Sequence, residues 1–133
     1  MKKLPVEFTE RMKQLLGEKE YSLYEDSFCQ NAVRAFRVNT EKISVKDFAE
    51  ISPFSSEPIP YVETGFYLDY DKIGNHPFHH AGMIYVQDPG AMATAECLEI
   101  QPDWWILDMC AAPGGKSSQL RNKLGENGIL VSN

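Results

Sequence analysis

No apolar run in this sequence approaches the roughly 18 residues that a membrane-spanning helix needs, so an anchored helix is not expected. Cysteine is scarce. Cys29, Cys97 and Cys110 form an odd set without a CxxC spacing, which excludes a disulfide-built miniprotein and points to reduced thiols in the cytoplasm. Nor is there a collagen-like repeat or the composition of a disordered tail. Met1-Lys2-Lys3-Leu4-Pro5 runs into Glu7 and Glu10 instead of an apolar signal core, so export is not expected. What is present is the balance of a soluble folded protein, 43% hydrophobic and 24% charged over 133 residues, enough for one ordinary domain but not two.

The formal net charge of −6 is unevenly spread. Residues 1–46 hold nine basic and seven acidic side chains, a net +2, whereas residues 47–133 hold four and twelve, a net −8. A polyanion approaches the first part more readily than the second, although a simple solvated surface is the better account of so small an excess.

The apolar spacing predicts two short helices at the start. Pro5 suits a first turn, Phe8, Met12, Leu15 and Leu16 recur at helical intervals, and Gly17 ends the run. Glu20 to Cys29 is the second, with Cys29 read as a packing residue. Ala32 to Asn39 reads as a strand. Ser44 with Asp47 marks a helix start, with Val45, Phe48 and Ala49 facing inward. Ile59–Val62 and Phe66–Asp69 are expected to flank a hairpin turn at Glu63-Thr64-Gly65. These elements make an α+β module over residues 1–72.

A second unit is expected over residues 73–133. Met83 to Val86 is strand-like, and Pro89 to Leu98 reads as a helix with Ala91, Met92, Ala95 and Leu98 on its buried side. Trp104 to Leu107 and Ile129 to Val131 read as strands buried on both faces, and Ser117 to Leu124 as the helix between them. Strand, Gly-rich turn, helix, strand is the opening of a doubly wound α/β fold, and two strands with one crossover suggest the front part of a longer protein.

The chemistry-bearing segment is Asp108-Met109-Cys110-Ala111-Ala112-Pro113-Gly114-Gly115-Lys116-Ser117. Small residues between a strand and a helix N-terminus let a nucleotide-like ligand lie against bare backbone. It is not GxGxxG. Gly115-Lys116-Ser117 fits the end of a phosphate-binding loop, but Cys110 stands where that loop needs its first glycine, which disfavours a nucleoside triphosphatase.

The same segment closely resembles the cofactor motif of the Nol1/Nop2/Sun RNA 5-methylcytosine methyltransferases. Gly82-Met83-Ile84-Tyr85-Val86-Gln87-Asp88-Pro89-Gly90-Ala91-Met92 resembles that family's G-x-x-Y-x-Q-[DE]-x-[SG]-[SA]-M segment, and Arg37-Val38-Asn39-Thr40 its R-V-N-T strand end. Glu63 to Tyr67 and Gly74 to Pro77 resemble the bacterial ribosomal RNA branch. The resemblance implies an α/β fold, in which an α+β module precedes the first strands of a Rossmann-like methyltransferase domain. It also implies S-adenosylmethionine held by Cys110, Ala111, Ala112, Pro113, Gly114, Gly115 and Lys116. The implied reaction is cytosine C5 methylation of RNA, with ribosomal RNA the expected partner. A transfer RNA substrate and a non-catalytic RNA-binding fragment are the alternatives.

Carbon 5 of cytosine is a poor nucleophile, so such a reaction needs a cysteine thiolate to add at carbon 6 and a base to remove the carbon 5 proton. The family places its cysteines in P-C and T-C motifs that this sequence lacks, so no catalytic residue is assigned here. The acid that holds the ribose hydroxyls is expected just after Asn133. Asp108 is read either as a plain cap or as the residue that orders the turn. Arg34 and Arg37 are the candidates for RNA phosphate contacts, with surface ion pairing as the plain explanation. His76, His79 and His80 with Asp69 and Asp71 lack a firm ligand spacing, so no metal is expected. Of Trp104 and Trp105, at least one is read as core. Oligomeric state is not legible in the sequence.

Overall fold

The computed structural model describes residues 4–70 and 72–133. Met1 to Lys3, on which the export reading partly rests, and Asp71, named among possible metal ligands, lie outside the described residues. The chain falls into two compact units, one ending at Ala32 and the other running from Val33 to Asn133. The expected boundary near residue 72 therefore lies inside the second unit.

The first unit is helix α1, Val6–Ser27, bent at Gly17, whose φ of 75° and ψ of 163° are non-helical. Glycine alone enters that region without a Cβ penalty, so the expected stop is there and a second helical stretch resumes beyond it. Cys29 lies just past the helix end and is exposed, not packed.

The second unit opens with an antiparallel sheet of order β2-β3-β1-β4. Its strands are β1 (Ala35–Val38), β2 (Ser56–Ile59), β3 (Val62–Leu68) and β4 (Ile84–Val86). The strand expected to open the second unit, β4, pairs instead with β1, with Phe36 opposite Val86 and Arg37 opposite Tyr85. Every residue of β1 is buried. Phe36 and Val38 enter a core with Phe48, Leu68, Ile73 and Ile84, and Ala35 enters another with Ile59, Val62 and Met92. Phe48 comes from α2 (Val45–Ile51), capped by Ser44, whose hydroxyl accepts from the Asp47 N–H at 3.0 Å. Ala49, expected to face inward, is exposed.

The β2–β3 hairpin turns at Pro60-Tyr61, since Ile59 pairs with Val62. The expected turn at Glu63-Thr64-Gly65 is instead the middle of β3, where Gly65 lies opposite Arg37. Gly65 is needed there for space, because a Cβ would stand 2.9 Å from Val62 Cγ1 and 3.1 Å from Ile59 Cδ1. After a 3-10 turn (Ile73–Asn75) and the short α3 (Pro77–His80) comes α4, Pro89–Glu96. Asp88 caps α4 by accepting from the Ala91 N–H at 3.1 Å. Met92 and Ala95 are buried as expected, but Leu98 lies beyond the helix and is exposed.

β5 (Trp105–Asp108) and β6 (Ile129–Ser132) form a parallel pair joined by α5 (Gly115–Lys123). Here burial departs from expectation. Trp105 is 80% and Leu107 62% exposed, and Trp104, Ile129 and Val131 are exposed as well. A parallel strand is buried on both faces only when helices cover both. Alternation puts Trp105 and Leu107 on one face and the half-buried Ile106 on the other.

Gly65→Ala is expected to destabilise the protein by about 1–3 kcal/mol, the range for overpacking a tight core. Urea unfolding monitored by circular dichroism measures the loss.

Candidate functional site

The turn between β5 and α5 is shaped by one carboxylate. Asp108, the last residue of β5, accepts from the Cys110 N–H through Oδ1 at 3.1 Å and from the Ser117 hydroxyl through Oδ2 at 2.7 Å. It thus closes the turn from both ends, and of its two readings the ordering one is observed. The Ser117 bond and then the Cys110 N–H hold its pKa below the usual 3.8, because both stabilise the charged form.

Inside the turn, Gly114 N–H donates to Ala111 O at 2.7 Å and Ala111 N–H to Asn133 O at 3.1 Å. The Ala112–Pro113 peptide is cis. Gly114 occupies the N-cap position of α5 with φ of 107° and, lacking a side chain, supplies no cap. The first N–H groups of a helix have no partner within it, so this end is an electropositive, open set of donors.

Cys110, Ala111, Ala112, Pro113, Gly115 and Lys116 line a cavity of about 230 Å³. Its facing wall is Tyr85, Val86, Gln87 and Ala91. A Cβ on Gly115 would stand 3.3 Å from Tyr85 Cε1 and 3.4 Å from the Gln87 amide, so the glycine lets this wall approach the turn closely. Gln87 Oε1 is buried without a partner among the described residues. Tyr85 and Gln87 were given no site role from the sequence, although both belong to its G-x-x-Y-x-Q segment. The tertiary signal missing there was the pairing of β4 with β1, which brings that segment against the turn.

The two candidate RNA contacts separate. Arg34 is exposed at the approach to β1. Arg37 does not project to the surface: it is 1% exposed. Its Nη2 donates to Ser118 Oγ at 2.8 Å and to Gly115 O at 3.3 Å. As a residue of the central strand it points between sheet and helices, which removes it as a phosphate contact. Burial lowers its pKa to about 10, which leaves it charged at neutral pH.

α5 is held on a second side by α4. Gln119 Nε2 donates to Met92 O at 2.9 Å and to Glu96 Oε1 at 2.8 Å, and Lys123 pairs with Glu96 at 2.7 Å. A larger cavity, about 460 Å³, lies beside Arg37, Glu63, Asn122 and Lys123. It carries charges of both signs and lies away from the turn.

Of the histidines, His76 serves packing and capping. His76 Nδ1 accepts from the Phe78 N–H at 3.2 Å, and its ring meets Phe54 and Phe78 edge to face. Among the described residues no group of three or more His, Cys, Asp or Glu is placed to hold a metal ion. All three cysteines are exposed, and no described helix is long and apolar enough to cross a membrane.

A carboxylate whose folded pKa is depressed contributes stability above its unfolded pKa and loses it as pH falls through the folded value. The stability gap between wild type and Asp108→Asn is therefore expected to be full above about pH 4 and to shrink below it. Urea midpoints of both proteins between pH 7 and pH 2.5 measure that convergence.

Comparison with known proteins identifies the family. A family described as the N-terminal domain of 16S rRNA methyltransferase RsmF matches residues 4–89. The ribosomal RNA small subunit methyltransferase F of Vibrio vulnificus is 35% identical over 98% of this chain, and that of Pectobacterium atrosepticum is 35% identical over 98%. The chain spans only 30% and 29% of the length of these relatives. Among solved structures, a methyltransferase homologue from Pyrococcus horikoshii superposes with a TM-score of 0.74 at 32% identity, over 97% of this chain and 44% of its own. The fold also matches NSun6 from the same organism, solved with SFG, with a TM-score of 0.78 at 18% identity over 96% of this chain and 58% of that one. The β5-turn-α5-β6 unit is thus the opening of a Rossmann-like methyltransferase fold. On this sequence and fold, the chain belongs to the Nol1/Nop2/Sun methyltransferases, among which it corresponds to the N-terminal portion of the small subunit ribosomal RNA methyltransferase F group.

Proposed function

We propose that this chain is part of an S-adenosylmethionine-dependent enzyme that methylates carbon 5 of a cytosine in ribosomal RNA, and that the turn from Cys110 to Lys116 forms part of the cofactor site. In this reading residues up to about 72 serve the RNA side, and residues 73–133 open the methyltransferase domain. The observation that carries it is the cavity between the turn and Tyr85, Gln87 and Ala91, floored by backbone that Asp108 holds at both ends.

The residues fit such a ligand. Its volume is somewhat below that of a typical small-molecule pocket, room for part of a nucleoside cofactor. Gly115 keeps one wall thin, and Gln87 Oε1, buried without a partner among the described residues, supplies a polar group at the wall. Lys116 places a cation in the first turn of α5, where the helix dipole disfavours it. An anionic group of the cofactor offsets that repulsion. S-adenosylmethionine supplies the methyl group. The part of this chain's residues is to bind and orient it, and no catalytic residue is assigned among them. Cys110 lies in the turn and Cys97 at the end of α4, neither in a P-C or T-C motif. The relatives are ribosomal RNA methyltransferases, which supports RNA as partner and favours ribosomal over transfer RNA.

Calorimetric titration of the full-length protein with S-adenosylmethionine is expected to show binding in the wild type and none in Gly114→Val, because a β-branched residue strains at φ of 107°. Unchanged affinity in the variant overturns the placement of the cofactor. Nucleoside analysis of small-subunit RNA after reaction is expected to show 5-methylcytidine, and a different methylated nucleoside overturns the assigned reaction. With Arg37 removed as a phosphate contact, Arg34 is the remaining candidate. Arg34→Ala is expected to lower the slope of log affinity for RNA against log salt by about one.

A further inference from the structure

Arg37 and Tyr85 are cross-strand partners on β1 and β4, and both donate to carbonyls of the same turn. The Tyr85 hydroxyl reaches Pro113 O at 3.2 Å, and Arg37 Nη2 reaches Gly115 O at 3.3 Å as well as Ser118 Oγ at 2.8 Å. Asn122 of α5, its amide oriented by its neighbours, extends the link. Its oxygen accepts from Arg37 Nη1 at 3.1 Å and from the Thr40 N–H at 3.3 Å, and its nitrogen donates to Asn39 Oδ1 at 3.0 Å. The R-V-N-T strand end is thereby bonded to the helix that follows the turn.

Packing alone does not call for a guanidinium here. No carboxylate lies within ion-pair distance of Arg37 among the described residues, Glu96 acting on it only through space; its Nε is buried without a partner, and burying a cation without a direct ionic partner is expensive where an apolar side chain of similar volume would serve. What an apolar side chain does not do is hold two acceptors on α5 and the turn at once. Fixing the Gly115 carbonyl toward β1 turns the Lys116 N–H of the same planar peptide the opposite way, and Gly115 and Lys116 both line the cavity.

We propose that Arg37 and Tyr85 are positioning residues for the cofactor turn, a clamp by which the antiparallel sheet sets the peptide planes of Pro113 to Lys116. This rests on the cofactor reading given above. Ligand affinity then depends on two side chains of the antiparallel sheet, and Arg37 acts without touching RNA.

The test uses the full-length protein and S-adenosylmethionine. Arg37→Lys keeps the charge but loses the fork that reaches two acceptors, and Tyr85→Phe removes only the hydroxyl. Each is expected to raise the KM and Kd for S-adenosylmethionine roughly three- to tenfold, the scale of one or two hydrogen bonds. At saturating cofactor, kcat, the KM for RNA and its salt slope are expected to stay within about twofold. The double variant is expected to lose less than the product of the single losses, since both arms hold one turn. Ser118→Ala, which trims one oxygen from α5, gives a milder rise in the same constants and keeps the test decisive if Arg37→Lys does not fold. Unchanged cofactor affinity in the variants overturns the clamp. So does a rise confined to the KM for RNA, or a fall in kcat that tracks the folded fraction with both KM values unmoved. A wild type that binds no S-adenosylmethionine overturns the cofactor reading itself and the clamp with it.

Discussion

Asp108 joins the carboxyl end of β5 to the first turn of α5 through two hydrogen bonds, and the shape of the nine-residue segment that follows it depends on that closure. A turn built from Ala111, Ala112, Pro113, Gly114 and Gly115 has few side chains with which to hold itself. Its order comes from groups outside it, and Asp108 contributes two of these bonds, at 3.1 and 2.7 Å. Because those bonds favour the ionised carboxylate, the same geometry that orders the turn also lowers the pKa of the group that orders it.

Around that closure the fold supplies support from two directions. α4 grips α5 through Gln119, Glu96 and Lys123, while the antiparallel sheet reaches the turn through Tyr85 and Arg37. β1 permits this because it is central: helices lie over both faces, so alternate residues serve different tasks. Phe36 and Val38 fill a core, whereas Arg37, between them in sequence, points to the opposite face and meets α5. A sheet that reads as a separate substrate-side module is thus structurally continuous with the cofactor-side turn. That continuity explains why the second compact unit begins at Val33 and not where the sequence changes character near residue 72.

Local chemistry made much of this legible in the sequence. Gly17 breaks α1, Ser44 and Asp88 cap their helices, and the small-residue turn precedes α5, because each effect acts within a few residues of the chain. The turn residues could be named as a ligand site for the same reason, since strand, bare backbone and helix N-terminus are consecutive. The hairpin turn is not where the sequence pattern puts it because Gly65 looks like a turn glycine, yet it is required for space beside Val62 and Ile59, neighbours known only after β2 folds onto β3.

What the sequence determined by itself, then, is most of the helix starts and breaks, the position of the Gly-rich turn and the family to which the chain belongs. Only the tertiary structure decided the partner of β4, the burial of Arg37, the exposure of Trp105 and Leu107, and the wall that Tyr85 and Gln87 make opposite the turn. The physical reason is one of range. Caps, breaks and helix starts are set by backbone groups a few bonds apart, whereas burial and side-chain partnership depend on which strands lie side by side. Arginine's charge predicts a surface position, and only the pairing of β1 between β3 and β4 shows that Arg37 is enclosed and bonded to α5.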